Sequence, residues 1–175
     1  LSEPFAGPLL ELMTTGGLVT AQDLEAYRVI TRPARTAQRQ GHLVHTNPPP
    51  SFGGSIIADT LAAAGPVDIA DPAGWSGLLG TLVAATEHRR TGGAPQVSTG
   101  TTHCSAVDPS GMVASMTVSN GVTSGFVVPG TGIQLNNMLG EADLNPAGFH
   151  AMPPGRRMGS MMSPSVLVAP DGSVV

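Results

Sequence analysis

Residues 101–119 read TTHCSAVDPSGMVASMTVS, and they carry the clearest strand signal in the chain. Residues 102–107 and 112–119 each have the length and character of a β-strand. Between these two runs lie Asp108, Pro109, Ser110 and Gly111, which are all common turn residues. The stretch therefore predicts an antiparallel hairpin.

The segments outside this hairpin divide by type. Apolar spacing and capping residues predict helices near residues 9–13, after Thr20 with Asp23 at the capping-box position, and at 56–64 and 75–90. Short extended runs predict further strands at 35–39, 42–46, 126–128 and 165–169. The sequence thus predicts an α+β fold, with a mainly helical region at 1–100 and a mainly β region at 101–175.

The composition argues against several functional classes. The 175-residue chain has 8 Lys and Arg, a net charge of −4 and no long basic run, which argues against nucleic-acid binding and polybasic membrane contact. No apolar run has the length of a membrane-spanning helix. Cys104 is the single cysteine, so the chain has neither an internal disulfide nor metal-ligand spacing. We expect no metal and no cofactor, and the sequence leaves the localisation open.

A candidate cleavage site lies where the loop through Ser98 and Thr99 to Gly100 enters the hairpin. A cut before Thr101 would leave a free α-amine, with a pKa of about 8, beside the threonine hydroxyl. A hydroxyl nucleophile needs an adjacent base, and an N-terminal threonine supplies both groups. The same hydroxyl can attack the Gly100 carbonyl and form an ester that water hydrolyses. The local residues alone favour an ordinary strand entry instead.

Several separated segments carry a family resemblance. Residues 101–108 with Gly111 resemble the start of the small subunit of gamma-glutamyltransferases (gamma-glutamyltranspeptidases), which are N-terminal-nucleophile hydrolases. Further along the chain, residues 129–133, 135–137 and 156–164 resemble the motifs that follow in that family. Before the hairpin, residues 17–27 and 48–54 resemble the end of the family's large subunit. The order matches throughout, and the similarity is thinnest at 65–98, where the chain is shorter than is usual in the family.

The resemblance implies a fold, a cleavage site and a nucleophile. The fold would be part of the family's four-layer αββα sandwich, and the bond between Gly100 and Thr101 would be cleaved autocatalytically. Thr101 corresponds to the family's nucleophile. The second hydroxyl that contacts it corresponds to Ser119 or Thr117, and a small length difference leaves both residues open.

The resemblance also implies contacts to substrate. Asn120 and Glu141 correspond to side chains that hold the α-amino group of a glutamyl substrate, and Ser160 to a hydroxyl at its carboxylate. Two positions depart from the family pattern. Met138 stands where Gln or Glu is usual, and Met161 where a second serine is common, so both remove expected polar contacts to the glutamyl group.

Simpler interpretations stay open for some of these residues. Asn120 before Gly121 is also a natural turn pair, and Glu141 in a polar stretch is typical of a solvated carboxylate. His103 beside Cys104 suggests a Cys–His dyad, but adjacent residues of a strand point to opposite faces. The alternation therefore argues against that dyad.

The implied reaction is transfer or hydrolysis of γ-glutamyl amides such as glutathione. The implied partners are that small-molecule substrate and the remaining large- and small-subunit segments of a parent protein. One alternative is a β-lactam side-chain acylase for glutaryl or cephalosporin compounds, which Met138 and Met161 favour, and another is a non-catalytic paralogue. The family's carboxylate-binding arginine and oxyanion glycines would lie outside 1–175, so we expect the isolated chain to be inactive.

Overall fold

The computed structural model describes residues 3–65, 68, 70–87, 100–142, 144–145, 147–149 and 151–175. The helices are α1 (Glu3–Met13), α2 (Ala21–Ala26), α3 (Phe52–Ala63) and α4 (Pro72–Glu87), with a 3-10 turn at Met138–Gly140. The strands are β1 (Arg35–Arg39), β2 (His42–Thr46), β3 (Thr101–Val107), β4 (Val113–Ser119) and β5 (Ser165–Val168). The α+β prediction is confirmed. No helix within the described ranges is long and apolar enough to cross a membrane.

Local sequence signals account for most of these elements. The predicted capping box of α2 is confirmed, because the Asp23 amide donates to Thr20 Oγ1 and the Thr20 amide donates to the Asp23 carboxylate at 2.8 Å. Helix α3 begins at Phe52 rather than at 56, because the Ser51 hydroxyl accepts from the Gly54 amide and caps the helix. Residues 88–90, the predicted end of α4, and Ser98 and Thr99 lie outside the described residues.

Two other predictions are wrong. Three consecutive prolines at 48–50 predict an extended backbone, but the Ser51 amide donates to the Pro48 carbonyl at 3.1 Å and closes a turn there. The predicted strand at 126–128 is reduced to one isolated bridge between Val127 and Gln134. In both places a main-chain hydrogen bond across a short loop replaces the regular structure expected.

The larger sheet has the order β1–β2–β5 and is antiparallel throughout. Helix α3 packs against it, and Ala37 of β1 and Ala58 of α3 are both buried. Arg39 of β1 donates to the Ala64 carbonyl at 2.6 Å, which satisfies an acceptor at the C-terminal end of α3. Because β5 follows residue 100 and β1 and β2 precede it, this sheet joins the two predicted regions, and the division at residue 100 stays a prediction.

The smaller sheet is the predicted hairpin, and its existence is confirmed. Strands β3 and β4 pair from Thr101 opposite Ser119 to Val107 opposite Val113. At the closed end Asp108 Oδ1 accepts from the amides of Ser110 and Met112 at 2.8 and 3.0 Å, which fixes the turn. The register therefore places the first residue of β3 beside the last residue of β4.

Candidate active site

The open end of the hairpin brings two hydroxyl groups together. Thr101 Oγ1 donates to Ser119 Oγ at 3.0 Å, and Ser119 Oγ also accepts from the Gly121 amide at 3.1 Å. Thr117 lies two pairs further along, opposite His103, where its Oγ1 is 2.7 Å from Nδ1 of His103. Of the two residues that the sequence left open, Ser119 is the one that contacts the Thr101 hydroxyl.

The carbonyl before Thr101 also has a recorded partner. The backbone amide of Asn120 donates to the carbonyl oxygen of Gly100 at 3.3 Å. A Cβ at Gly100 would overlap the main-chain carbonyl of Gly121, so the loop entering β3 passes too close to the opposite chain for a larger residue. The glycine is required here by this close approach of two backbones.

The residues after Ser119 form a tight turn. The Thr123 amide donates to the Asn120 carbonyl at 3.0 Å, and Gly121 has φ +63°, a conformation that favours glycine. The turn interpretation of Asn120 and Gly121 is therefore confirmed. It turns the backbone amide of Asn120 toward Gly100, so the turn is hydrogen-bonded to the carbonyl that precedes Thr101.

Two side chains from a later segment hold this turn from outside. The chain folds back after the turn, because the Ser124 amide and hydroxyl both donate to the Leu135 carbonyl, at 3.1 and 3.0 Å. This return places Asn137 and Glu141 so that the Val122 amide donates to Asn137 Oδ1 at 3.0 Å and to Glu141 Oε1 at 3.1 Å. Glu141 is half-buried, and its carboxylate accepts from the backbone amide of Val122, so it is not fully solvated.

A polar row continues along the same face of the hairpin. His103 Nε2 lies 3.0 Å from Ser105 Oγ, and Ser105 Oγ donates to Ser115 Oγ at 3.1 Å. Cys104 is exposed and pairs with Met116 on the opposite face. The alternation that argued against a Cys–His dyad is confirmed. Within the part of the chain that the structure describes, no cluster of three or more His, Cys, Asp or Glu could hold a metal ion.

A comparison with protein families bears directly on this arrangement. The family model described as Gamma-glutamyltranspeptidase matches residues 80–175, which is more than half of the chain and includes the whole hairpin. The chain belongs to the gamma-glutamyltranspeptidase family. The resemblance that the motifs indicated is therefore confirmed.

Three curated relatives are similar over most of the chain, and each is named glutathione hydrolase proenzyme. The Escherichia coli protein is 26% identical over 90% of this chain and 37% of its own length. The Pseudomonas aeruginosa protein is 28% identical over 90% of this chain and 38% of its own, and the Arthroderma benhamiae protein 25% over 97% and 40%. The chain thus spans about two-fifths of the length of these relatives.

One predicted site residue of this gamma-glutamyltranspeptidase chain lies in a different packing environment. Ser160 is half-buried and forms a parallel bridge with Ser51, and its carbonyl accepts from the Phe52 amide at 2.8 Å. These contacts lie at the N-terminal end of α3. The hydrogen bonds recorded among the described residues connect Thr101, Ser119, Asn120 and Glu141 to one another or to the 120–123 turn, and they do not extend to Ser160.

The two positions that depart from the family pattern also differ in setting. Met138 begins the 3-10 turn, is half-buried, and offers its carbonyl to Asn145 Nδ2 at 2.8 Å. Met161 is exposed, and its main-chain carbonyl packs so closely on Gly53 that a Cβ there would overlap it. Met138 therefore lies next to the segment that holds the 120–123 turn, whereas Met161 lies beside α3.

Sequence reasoning missed a role for two residues of the site. Gly121 carries a readable signal, because an Asn-Gly pair is typical of a turn with positive φ. Asn137 lies in the 135–137 segment that resembles a family motif, but that resemblance gives no contact, because its contact to Val122 depends on the return of the chain at 124–135. Only the folded structure shows that its side chain reaches Val122.

Proposed function

We propose that this chain carries the nucleophile region of an enzyme that hydrolyses or transfers the γ-glutamyl group of amides such as glutathione. Thr101 is the nucleophile, and it is released by autocatalytic cleavage of the bond to Gly100. Membership of the family and the names of the relatives support the substrate class. The observation that carries the proposal is the hydrogen bond from the Thr101 hydroxyl to Ser119 Oγ. Thr101 directly follows Gly100, whose carbonyl accepts a hydrogen bond from the backbone amide of Asn120.

Self-cleavage can be written with these groups alone. Thr101 Oγ1 adds to the Gly100 carbonyl carbon, the Gly100–Thr101 C–N bond breaks, and the hydroxyl proton ends on the leaving Thr101 nitrogen. Ser119 Oγ, which accepts from the Thr101 hydroxyl, orients that hydroxyl before it attacks. Water then hydrolyses the ester, leaving a Gly100 carboxylate and a free N-terminal Thr101.

Turnover reuses the same hydroxyl. The freed α-amine of Thr101 takes the hydroxyl proton as the oxygen attacks the γ-glutamyl carbonyl. The leaving amine departs with a proton, and the resulting acyl-enzyme passes its acyl group to water or to an acceptor amine. Ser119 keeps the same orienting role, and Thr117, paired with His103, supports the polar row behind it.

Recognition of the glutamyl head rests on residues around the turn. Glu141 supplies a negative charge for the substrate ammonium, and Asn120 is the second residue proposed to hold it. A carboxylate has two oxygens and about four acceptor positions, so accepting from Val122 through Oε1 leaves capacity for an ammonium. Ser160 serves the substrate carboxylate from the side of α3, and its contacts there make it the substrate residue whose role most needs a direct test.

The rest of the active site comes from other segments. We propose that the remaining large- and small-subunit parts of the parent protein complete an αββα sandwich around the two sheets described here. In support, the chain spans about two-fifths of its curated relatives, and Met116 and Val118 on the outer face of the hairpin are more than half exposed. The chain alone is then inactive toward γ-glutamyl substrates, because loss of even one oxyanion donor costs about 10²–10³ in rate.

A second candidate is an acylase for β-lactam side chains. The half-buried Met138 beside the turn-holding segment favours it, because methionine in place of Gln or Glu makes that side of the pocket less polar. Turnover of a γ-glutamyl anilide and a glutaryl anilide by the full-length protein separates the two, with Thr101→Ala as the control. Faster γ-glutamyl turnover that disappears in the control supports the proposal, and faster glutaryl turnover supports the acylase. No turnover of either compound supports a non-catalytic paralogue.

A further inference from the structure

We infer that the side chains of Asn137 and Glu141 clamp the backbone amide of Val122. The clamp holds the backbone amide of Asn120 against the Gly100 carbonyl, which makes Asn137 a positioning residue for self-cleavage. This inference rests on the proposed cleavage between Gly100 and Thr101. It adds a role for Asn137, and it gives Glu141 a task before any substrate binds.

The clamp consists of two acceptors on one donor. The Val122 amide donates to Asn137 Oδ1 at 3.0 Å and to Glu141 Oε1 at 3.1 Å, and the Asn137 amide donates to the Asn120 carbonyl at 3.3 Å. Asn137 therefore grips the turn through its side chain at one residue and through its backbone at another. These contacts fix the peptide planes on both sides of Gly121.

Gly121 allows the two acceptors to approach. The residue is buried with φ +63°, and a Cβ there would overlap both Glu141 Oε1 and Asn137 Oδ1. The space that holds the clamp is therefore the space that a side chain at 121 would take. The positive φ adds backbone strain for any other residue.

The clamped turn presents one donor to the scissile carbonyl. The Asn120 amide lies 3.3 Å from the Gly100 oxygen, which becomes an oxyanion when Thr101 Oγ1 adds to the carbonyl carbon. A hydrogen bond to an ionised acceptor is shorter and stronger than one to a neutral carbonyl, so this contact strengthens as charge develops. Because the donor belongs to the backbone, its aim depends on the turn, and the turn depends on Asn137 and Glu141.

Charge separates this role from substrate recognition. Accepting from Val122 needs only an oxygen, which an amide supplies as well as a carboxylate, whereas holding a substrate ammonium needs the negative charge. Glu141→Gln therefore removes the charge needed for the ammonium and keeps an acceptor for the Val122 amide. Asn137→Asp places a second carboxylate beside Glu141, and the repulsion between them opens the clamp.

The test follows cleavage of the freshly translated full-length protein by intact mass over time. Asn137→Leu should slow cleavage by about 10²-fold, the cost typical of a misplaced oxyanion donor. Asn137→Asp should also be slow. The double variant Asn137→Asp with Glu141→Gln restores one charge and two acceptors, and it should recover most of the rate, which a general loss of packing would not permit.

Asn136→Ala serves as the matched neighbour, since Asn136 Oδ1 accepts from the Met138 amide and does not contact the turn. It should cleave within about threefold of wild type. Asn137→Leu cleaving at the wild-type rate, equal slowing in both neighbours, or a double variant as slow as Asn137→Asp would each overturn the inference. Cleavage of Thr101→Ala, or no cleavage of the wild type, would instead overturn the proposed function beneath it.

Discussion

The two sheets of this chain are held together in different ways. The β1–β2–β5 sheet lies against α3 with Ala37, Thr46 and Ala58 buried at the contact. The β3–β4 hairpin has no fully buried residue, and its inner face is linked by side-chain hydrogen bonds such as Thr101 to Ser119 and Ser105 to Ser115. One sheet is fixed by close packing, whereas the other is positioned by hydrogen bonds and leaves Thr101 exposed.

The difference suggests how the chain divides its tasks. Close packing tolerates no added atom, so substitutions in the α3 region should act on stability. Exposed polar pairs give little stability but fix the direction of hydroxyls and amides, so substitutions near Thr101 should act on chemistry. A substitution near Thr101 that mainly lowers stability, or one in the α3 region that mainly changes the chemistry, would contradict this difference between the two sheets.

The largest effect on stability is expected at Gly54 in the first turn of α3. A Cβ there would overlap the main-chain carbonyl of Asn47, and backbone atoms cannot move aside cheaply. Gly54→Ala should therefore lower the free energy of unfolding by about 3 kcal/mol, measured by urea denaturation. The matched variant is Gly80→Ala in α4, where no atom beyond the adjacent residues and the helix's own backbone lies within 4 Å of the added Cβ, and it should raise stability by about 0.5–1 kcal/mol. Equal effects of both variants would contradict the packed description of α3.

A smaller effect, on binding rather than stability, is expected at Glu141. Glu141→Gln keeps the acceptor for Val122 and removes the charge proposed to bind the substrate ammonium. A charge-assisted contact contributes about 1.5–3 kcal/mol, so KM for a γ-glutamyl anilide should rise by about one to two orders of magnitude in the full-length enzyme. The free energy of unfolding should stay within about 0.5 kcal/mol. An unchanged KM would remove Glu141 from the substrate site.

A still smaller effect is expected on the outer face of the hairpin. Met116 is 58% exposed in β4, whereas Ala58 is 3% exposed in α3. Met116→Thr should change the free energy of unfolding of the 175-residue chain by less than about 0.5 kcal/mol, whereas Ala58→Leu should destabilise it by about 1–3 kcal/mol. Thermal and urea denaturation of both variants provide the measurement. A large loss in Met116→Thr would mean that this face is already covered, for example by a second copy.

The smallest effect concerns two matching turns, one in each sheet. The Ser110 hydroxyl beside Asp108, and the Ser173 hydroxyl beside Asp171, hold the pKa of each aspartate below its usual value. Ser110→Ala and Ser173→Ala should each raise the pKa of the adjacent carboxyl, measured by NMR titration. His42 lowers the pKa of Asp171 alone, so His42→Gln should raise that pKa and leave Asp108 unchanged. Equal responses of both aspartates to His42→Gln would contradict the assignment.

The sign of the pH dependence follows from these lowered values. A carboxyl whose pKa is lower in the folded chain stabilises the fold at pH values above its unfolded pKa of about 3.9, and this contribution is lost as the pH falls through the folded value. Both turns should therefore weaken only in acid below about pH 4, and the Ser→Ala variants should lose part of this acid dependence, because backbone amides still hydrogen-bond to each carboxylate. Because both aspartates are exposed, the loss of stability in acid should be small for each turn.

Local signals predicted the elements better than the site. The bounds of β1 and β2, the hairpin and the capping box of α2 were all readable, because turn residues and caps act over three or four positions. The start of α3 was missed because Ser51 follows three prolines that hid its role as a cap. The contacts of Asn137 and Ser160 join residues separated by long loops, and no local pattern specifies them.

The choice between Ser119 and Thr117 shows the same limit. Counting residues from Thr101 could not separate two hydroxyls on one face of a strand, since Ser119 and Thr117 are only two pairs apart in the register. The register that places Thr101 opposite Ser119 is set by the Asp108 turn at the far end of the hairpin. One residue more in that turn would have moved every pair.

The most direct test of the account is the intact mass of the full-length protein and of its Thr101→Ala variant. The wild type should separate into two chains whose masses add up to the precursor plus one water, with the second beginning at Thr101. The Thr101→Ala variant should stay a single chain, because it lacks the oxygen that attacks the Gly100 carbonyl. Cleavage of that variant at the same bond would rule out self-cleavage by Thr101, since an outside protease would then make the cut.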